Sequence, residues 1–227
     1  MPAVLSLEEA REVLAGDVLG PEEVSEVFAV APPQSLPMPF SRQTLTAARQ
    51  AGHLLVLRIT AAAGARPLTL LHMIESFPEA FDQKLLRQMG YQLKDDWGIT
   101  LEPLAARETC AQGWALVRKD ILDDSRNLPY DDQTDALRLC AQREGLAPNA
   151  VRRRSAVEAV YDTLLYFRAR RVRLLERTWD WSASPTLDGG YVNVGGFGER
   201  GMQILSYSRA CRHGALGVCP TRGSEAA

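Results

Sequence analysis

The chain has 227 residues, of which 46% are hydrophobic and 24% charged, and these proportions exclude a disordered or fibrous protein. Its 26 basic and 28 acidic residues give a net charge of −2, which excludes a polycation that coats nucleic acid. No run of about 18 apolar residues is present and the N-terminus lacks a signal-peptide pattern, so we expect a cytoplasmic protein without a membrane partner.

The first elements in chain order are two short helices. Ser6 and Glu9 have the spacing of a capping box, so a helix begins there and ends at Gly16. Pro21 at a first helical position starts a second helix that runs through Phe28. We therefore expect a helical segment over residues 1–30.

Four prolines between positions 31 and 39 then exclude a helix or a central strand. Residues 31–40 are interpreted as a proline-rich linker, and residues 41–227 as an α+β domain. Its elements before position 151 are predicted to be helices at Ser41–Gln50, from Thr69, from Asp82, at Tyr91–Trp97 and from Asp131 or Asp132 to Gly145, and strands at His53–Ile59 and Gly113–Lys119.

The C-terminal part changes from helix to strand. Ser155 and Glu158 repeat the capping-box spacing and start the longest helix, which ends near Arg171 and whose broad apolar surface predicts packing on two sides. A β-rich tail over residues 178–222 follows, with strands at Trp179–Ser184, Tyr191–Val194, Met202–Ser208 and Leu216–Val218. The fold class is therefore α+β: a helix-rich N-terminal region with a few strands, then a long helix and a small antiparallel β-rich region.

Charge is unevenly distributed along the chain. Residues 1–151 carry a net charge of −7 and residues 152–227 a net charge of +5, which is compatible either with two mutually attracting faces or with a C-terminal part that binds anions. For the second interpretation the candidate anion-binding residues flank the long helix: Arg152, Arg153, Arg154, Arg168, Arg170 and Arg171. Positive charges at a helix N-terminus interact unfavourably with the helix dipole. Either acids from the N-terminal half or a bound anion must therefore offset the charges of Arg152–Arg154.

Three motifs allow a chemical interpretation. The G-x-G-x-x-G match at Gly196–Gly201 is followed by strand formers instead of a helix, so we interpret it as a glycine-rich hairpin loop and not as a dinucleotide site. Cys211, His213 and Cys219 are near in sequence, but their spacing matches no familiar zinc motif, and we expect no metal and no cofactor. The four cysteines are expected to be reduced and mostly buried.

Asp180 lies between Trp179 and Trp181. On a strand both indoles face one side and Asp180 the other. The carboxylate then either lies beside a ring-lined pocket, where its pKa would be raised, or at the surface opposite two core tryptophans.

The tail resembles the end of bacterial C-type-lectin-like domains. The residues that carry this resemblance are Trp181–Ser184, the glycine-rich hairpin Tyr191–Tyr207 and a closing strand at Gly217–Arg222, with Arg154–Tyr161 similar to the helix that precedes such a tail. The calcium-ligand pattern of sugar-binding lectins is absent, as is the catalytic cysteine arrangement of the sulfatase-modifying branch. The resemblance covers about a third of the chain and implies a ligand face on the loops of the tail.

The leading hypothesis is a non-enzymatic binding protein with a protein or small-molecule ligand. Because aromatic residues and arginine dominate contact energies, the candidate ligand-binding residues are Trp179, Trp181, Tyr191, Phe197, Arg200, Tyr207 and Arg209. A nucleic-acid partner for the arginine-rich helix is left open but not favoured. A third hypothesis is an enzyme that uses Asp180 or the pair Cys211 and His213.

Overall fold

The computed structural model describes residues 5–31, 36–89, 94, 95 and 97–223. It has the α+β fold that the sequence predicts, with a long helix before a strand-rich region. The helices of the described residues are α1 (Leu7–Leu14), α2 (Pro21–Phe28), α3 (Arg42–Gln50), α4 (Leu70–Ser76), α5 (Pro103–Arg107), α6 (Gln133–Arg143) and α7 (Ala156–Arg170). The strands are β1 (Val18–Leu19), β2 (His53–Arg58), β3 (Gln88–Met89), β4 (Lys94–Asp95), β5 (Gly113–Arg118), β6 (Arg152–Arg153), β7 (Trp179–Pro185), β8 (Tyr191–Gly198), β9 (Gly201–Tyr207), β10 (Leu216–Gly217) and β11 (Pro220–Gly223).

Two mixed sheets form the framework. The first sheet has the strand order β1-β2-β5-β11-β6, and the second has the order β10-β7-β8-β9. In the first sheet β1 is parallel to β2 while the other pairs are antiparallel, and in the second β10 is parallel to β7. The strands β3 and β4 form a separate antiparallel pair.

Strand β11 lies inside the first sheet, between β5 and β6, although its residues come near the end of the described part of the chain. It pairs with β5 on one side, Thr221 opposite Val117, and with β6 on the other, Pro220 opposite Arg153. Proline is tolerated there because the strand is only four residues long and Pro220 begins it.

Helix α7 contacts both sheets, which explains why its apolar residues do not form one narrow stripe. Its residues 156–166 are all buried. On one side the Tyr161 hydroxyl donates to the carbonyl of Leu57 in β2 at 2.9 Å. Val192, Val194 and Ile204 of the second sheet belong to the same apolar core as this helix. The prediction of packing on two sides is therefore confirmed.

The N-terminal helices share this core. Ala10, Leu14 and Phe28 are buried in it, and the Phe28 ring stacks on Tyr161 with centroids 5.0 Å apart. Both capping boxes form, at Ser6 with Glu9 and at Ser155 with Glu158. Of the linker predicted at 31–40, residues 32–35 lie outside the described residues.

Some predicted elements differ from the structure. After Asp82 the chain makes a single 3-10 turn at Leu85–Arg87, not a longer helix. Most of the helix predicted at Tyr91–Trp97 lies outside the described residues, and Lys94–Asp95 is a strand.

The glycine-rich match is a hairpin, with β8 extending to Gly198 and Glu199–Arg200 at the turn. Gly201 there has φ +106°, and a Cβ on it would lie 2.4 Å from the carbonyl carbon of Phe81. Only glycine fits this close approach.

All four cysteines are free, and Cys110, Cys140 and Cys219 are buried. Within the described ranges, no helix combines the length and the apolar character needed to cross a membrane.

Candidate functional site

The second sheet has an inner face in the core and an outer face, because successive side chains of a strand alternate. Trp181 is opposite Asn193, Asn193 is opposite Leu205, and Tyr191 is opposite Tyr207. We call this outer side the aromatic face; its residues are Trp179, Trp181, Tyr191, Asn193, Leu205 and Tyr207. Trp181 and Asn193 are fully buried, whereas Trp179, Tyr191 and Tyr207 are half-buried.

Two segments, residues 127–132 and 208–214, cover the aromatic face, and we call them the covering loops. They are joined by backbone bonds from Tyr130 N–H to the Arg209 carbonyl at 2.9 Å and from Asn127 N–H to the His213 carbonyl at 3.1 Å. The Tyr130 ring stacks on Tyr191 with centroids 4.0 Å apart and meets Trp181 edge-on at 5.3 Å. Three aromatic rings from two parts of the chain thus form one cluster.

Two guanidinium groups complete this cluster. Arg153 places its Cζ 4.0 Å from the Tyr130 ring centroid and donates to the Trp181 carbonyl at 3.0 Å and the Tyr130 carbonyl at 2.7 Å. Arg209 lies over Tyr191, 5.8 Å from the centroid, and forms an exposed ion pair with Asp131. Burial raises the pKa of Tyr130 to about 12, so its hydroxyl stays neutral and can donate hydrogen bonds.

Several buried polar atoms of the aromatic face have no hydrogen-bond partner among the described residues. They are both amide atoms of Asn193, Nδ2 and Oδ1, and the indole Nε1 atoms of Trp179 and Trp181. Leaving one such group unsatisfied in a protein interior costs about 1–3 kcal/mol. Because nearly all buried polar groups in native proteins are paired, this concentration of them beside half-buried rings marks the face as a candidate site.

The structure brings five of the seven candidate ligand-binding residues together. Trp179, Trp181, Tyr191 and Tyr207 belong to the aromatic face, and Arg209 packs on it. Trp181 is sealed beneath the Tyr130 ring, so it does not offer an exposed ring as the sequence suggested.

The other two candidates lie elsewhere. Phe197 points into the core, 1% exposed, and its ring meets Phe167 at 4.8 Å. Arg200 is at the hairpin turn, where its Nε lies 3.4 Å from Asp82. We therefore exclude both from the site.

The arginine triplet before α7 is split between two environments because it is an extended segment. Arg153 faces Tyr130 and Trp181, as described, whereas Arg152 and Arg154 face acidic side chains of α7. Arg152 donates to both oxygens of Glu158 at 2.7 Å. The offsetting acids therefore come from the helix itself and from β7, not from the N-terminal half.

These groups belong to a line of alternating charges that we call the charge chain. Its members, in spatial order, are Arg152, Glu158, Arg58, Asp162, Arg154 and Asp180. Arg58 donates to Glu158 at 2.6 Å and to both oxygens of Asp162 at 2.9 and 2.7 Å. Arg154 donates to Asp162 at 3.2 Å and to Asp180 at 2.8 Å. The charge chain links β2 of the first sheet, helix α7 and β7 of the second sheet.

The charge chain has no net charge and is almost entirely shielded from solvent. Its side chains are at most 4% exposed, except Arg152, which is 49% exposed. Burial alone would raise the pKa of Glu158, but the hydrogen bonds from Arg152 and the charge of Arg58 outweigh it and lower the pKa to about 2. The charge chain therefore connects the two sheets through helix α7, and its arginines are already paired with carboxylates.

Asp180 is neither a surface carboxylate nor the wall of a ring-lined pocket. Its pKa is raised, as the first interpretation expected, but the cause is burial. It is fully buried on the inner side of β7 and accepts from Arg154 and from the Cys219 backbone N–H, the latter at 2.7 Å. Sequence reasoning missed its network because Arg58 ends an apolar strand and Asp162 lies in an apolar helix. The available signal was the i, i+4 spacing of Glu158 and Asp162, which places two carboxylates on one helix face.

Two of the three arginines at the end of α7 also form ion pairs. Arg168 pairs with Glu79 at 2.6 Å, and Arg170 pairs with Glu23 at 2.7 Å and donates to backbone carbonyls of Gly16 and Val18. Arg171 is exposed at the helix C-cap. Acids of the N-terminal half thus meet cations of the C-terminal half, as the interpretation of mutually attracting faces requires.

The cysteines of the tail show no nucleophile geometry. Cys219 is fully buried, and burial raises the pKa of the half-buried Cys211 thiol, the opposite of what a thiolate nucleophile needs. His213 accepts from the Ala215 N–H at 3.1 Å and packs edge-on to Trp179. Over the described part of the chain, no three His, Cys, Asp or Glu side chains lie close enough to hold a metal ion.

Comparison with protein-family models, with curated proteins and with solved structures found no match.

Proposed function

We propose that this is a non-enzymatic binding protein whose aromatic face takes a saccharide. The observation that carries the proposal is the half-buried pair Tyr191 and Tyr207 at one end of the aromatic face, with the exposed guanidinium group of Arg209 beside it. Sugar rings have apolar C–H faces and polar edges, so flat aromatic rings flanked by planar donors suit them. The resemblance of residues 178–222 to C-type-lectin-like domains supports a ligand face on the loops of the tail.

Binding here would depend on stacking and hydrogen bonds. The calcium-ligand pattern of sugar-binding lectins is absent from the sequence. Tyr191 and Tyr207 are half-buried at one end of the face, with Arg209 exposed next to them. This end is the accessible edge at which a sugar ring would first make contact.

The test uses glucose, galactose, mannose and their N-acetylated amino sugars as probes, with binding followed by intrinsic fluorescence and by amide NMR shifts. Arg209→Ala removes a guanidinium from the face and should weaken binding about tenfold, equivalent to about 1.4 kcal/mol. Arg200→Ala is the matched control, because Arg200 is equally a solvent-exposed arginine beside β9 but lies at the other end of the strand.

Binding to none of the six sugars at millimolar concentration would refute the proposal. Equal weakening by the two arginine variants would also refute it, because the site would then not lie on the aromatic face.

A further inference from the structure

A solvent-accessible cavity of about 290 Å³ lies between α2, the loop that follows β2, and α4. Phe28, Leu68 and Phe77 give it an apolar lining, and all three also belong to the core. None of the described residues that line it belongs to the aromatic face or to the charge chain. Its volume is at the small end of the range of ligand pockets, so it suits a compact ligand.

The walls of this cavity are already ordered without a ligand. The Phe28 ring meets the Phe77 ring edge-on, with centroids 6.0 Å apart. The loop after β2 is closed by a backbone bond from the Ala62 N–H to the Arg66 carbonyl at 2.8 Å. A ligand therefore does not have to order these walls, which reduces the entropic cost of binding.

The charged side chains at the cavity favour an anionic ligand. Arg66 and His72 line it, whereas its described lining residues include neither Asp nor Glu. The Arg66 side chain is 64% exposed, and its contact in the fold is an exposed ion pair with Glu75 at 3.7 Å, a kind of pair that contributes little to stability. Its guanidinium group is therefore free to pair with another carboxylate, for which its planar donors are well suited.

The His72 ring has a fixed orientation in the same wall. Its Nδ1–H donates to the Pro67 carbonyl at 2.9 Å, which leaves Nε2 as the nitrogen without a protein partner among the described residues. The ring signals of His72 therefore report directly on occupation of the cavity.

We propose that this cavity binds a small organic carboxylate with an aromatic or branched aliphatic body. The apolar body contacts Phe28, Leu68 and Phe77, and the carboxylate pairs with Arg66. The site is independent of the saccharide site proposed for the aromatic face.

The experiment uses 3-phenylpropionate as the probe with the full chain, followed by NMR titration. The neutral 3-phenylpropanamide and the cationic 2-phenylethylamine carry the same ring and serve as comparison ligands. The carboxylate should bind at least tenfold more tightly than either, and should shift the ring signals of His72 but not those of His53 or His213. Arg66→Gln should weaken binding of the carboxylate about tenfold and leave binding of the amide within twofold of its original value.

Arg138→Gln is the matched control, because Arg138 is 63% exposed and is likewise paired with a single exposed acid, Asp135. It should not change the affinity for any of the three ligands. Ala62→Leu enlarges a side chain of the cavity wall and should abolish binding of all three.

Three results would overturn this inference: no binding of 3-phenylpropionate at millimolar concentration, equal affinities for the carboxylate and the amine, or equal weakening by the two arginine variants. Unchanged binding to Ala62→Leu would also overturn it, because the ligand would then lie elsewhere. Each of these results would leave the saccharide proposal standing, since that proposal is tested with different ligands and with variants of other residues.

Discussion

Replacing Arg154 by methionine is the sharpest test of the charge chain. Arg154 is 1% exposed and joins Asp162 to Asp180. Without it Asp180 remains fully buried and keeps, among the residues that the structure describes, only the Cys219 backbone N–H as a hydrogen-bond partner. Removal of one partner from a buried ion pair costs about 3–5 kcal/mol, because the remaining charge is left uncompensated.

That loss is a large share of the total stability of a typical domain, which is about 5–15 kcal/mol. For a chain of this size it corresponds to a Tm lower by about 6–20 °C. Urea unfolding followed by circular dichroism measures it: the midpoint should fall without a change in the slope of the free energy of unfolding. Arg138→Met, which breaks the exposed pair of Arg138 and Asp135, should change stability by less than about 0.5 kcal/mol.

The double variant Arg154→Met/Asp180→Leu separates charge from packing. It removes the uncompensated carboxylate, so it should recover most of the stability lost by Arg154→Met alone. A single variant that loses less than about 1 kcal/mol, or a double variant no more stable than the single one, would show that the charge chain does not act as a desolvated ion network.

Two further predictions concern Glu158 and Gly201. The pKa of Glu158 is lowered to about 2 in the folded protein against 4.5 in the unfolded chain, so its contribution of about 3 kcal/mol is fully present above pH 4.5 and lost as the pH falls from 4.5 to 2. The free energy of unfolding, measured as a function of pH, should fall over this range, and Glu158→Gln should abolish this dependence. Gly201→Ala should destabilise the fold by about 2 kcal/mol or more in thermal unfolding, since its Cβ would meet the backbone of Phe81, whereas Gly214→Ala, with open space around it, should be nearly neutral.

Local sequence patterns were sufficient to predict where several helices and strands begin. The capping boxes at Ser6 and Ser155 mark where α1 and α7 begin, and the apolar run from His53 marks β2, because caps and strand patterns act over a few residues. The strand pattern did not predict β11, since its Pro220 and Gly223 argue against a strand. Only the resemblance implied a closing strand there, and pairing with β5 and β6 forms it.

The candidate site was predicted only in part for a related reason. Alternation along β7 and β8 places Trp179, Trp181 and Tyr191 on one face, and this could be inferred from sequence. Whether that face is covered depends on Tyr130, which lies about 50 residues earlier in the chain and meets the sheet only in the folded protein. For the same reason the sequence did not reveal Asn193 as the buried polar centre of the face.

The position of β11 also has a consequence for biosynthesis. Strand β5 can pair with its second neighbour only after residues 220–223 have been synthesised. Strand β6 also pairs with β11, so it joins the sheet only at that stage. A ribosome therefore has to extend the nascent polypeptide to Gly223 before the first sheet can close, and until that moment β5 presents an open edge of the kind that chaperones shield.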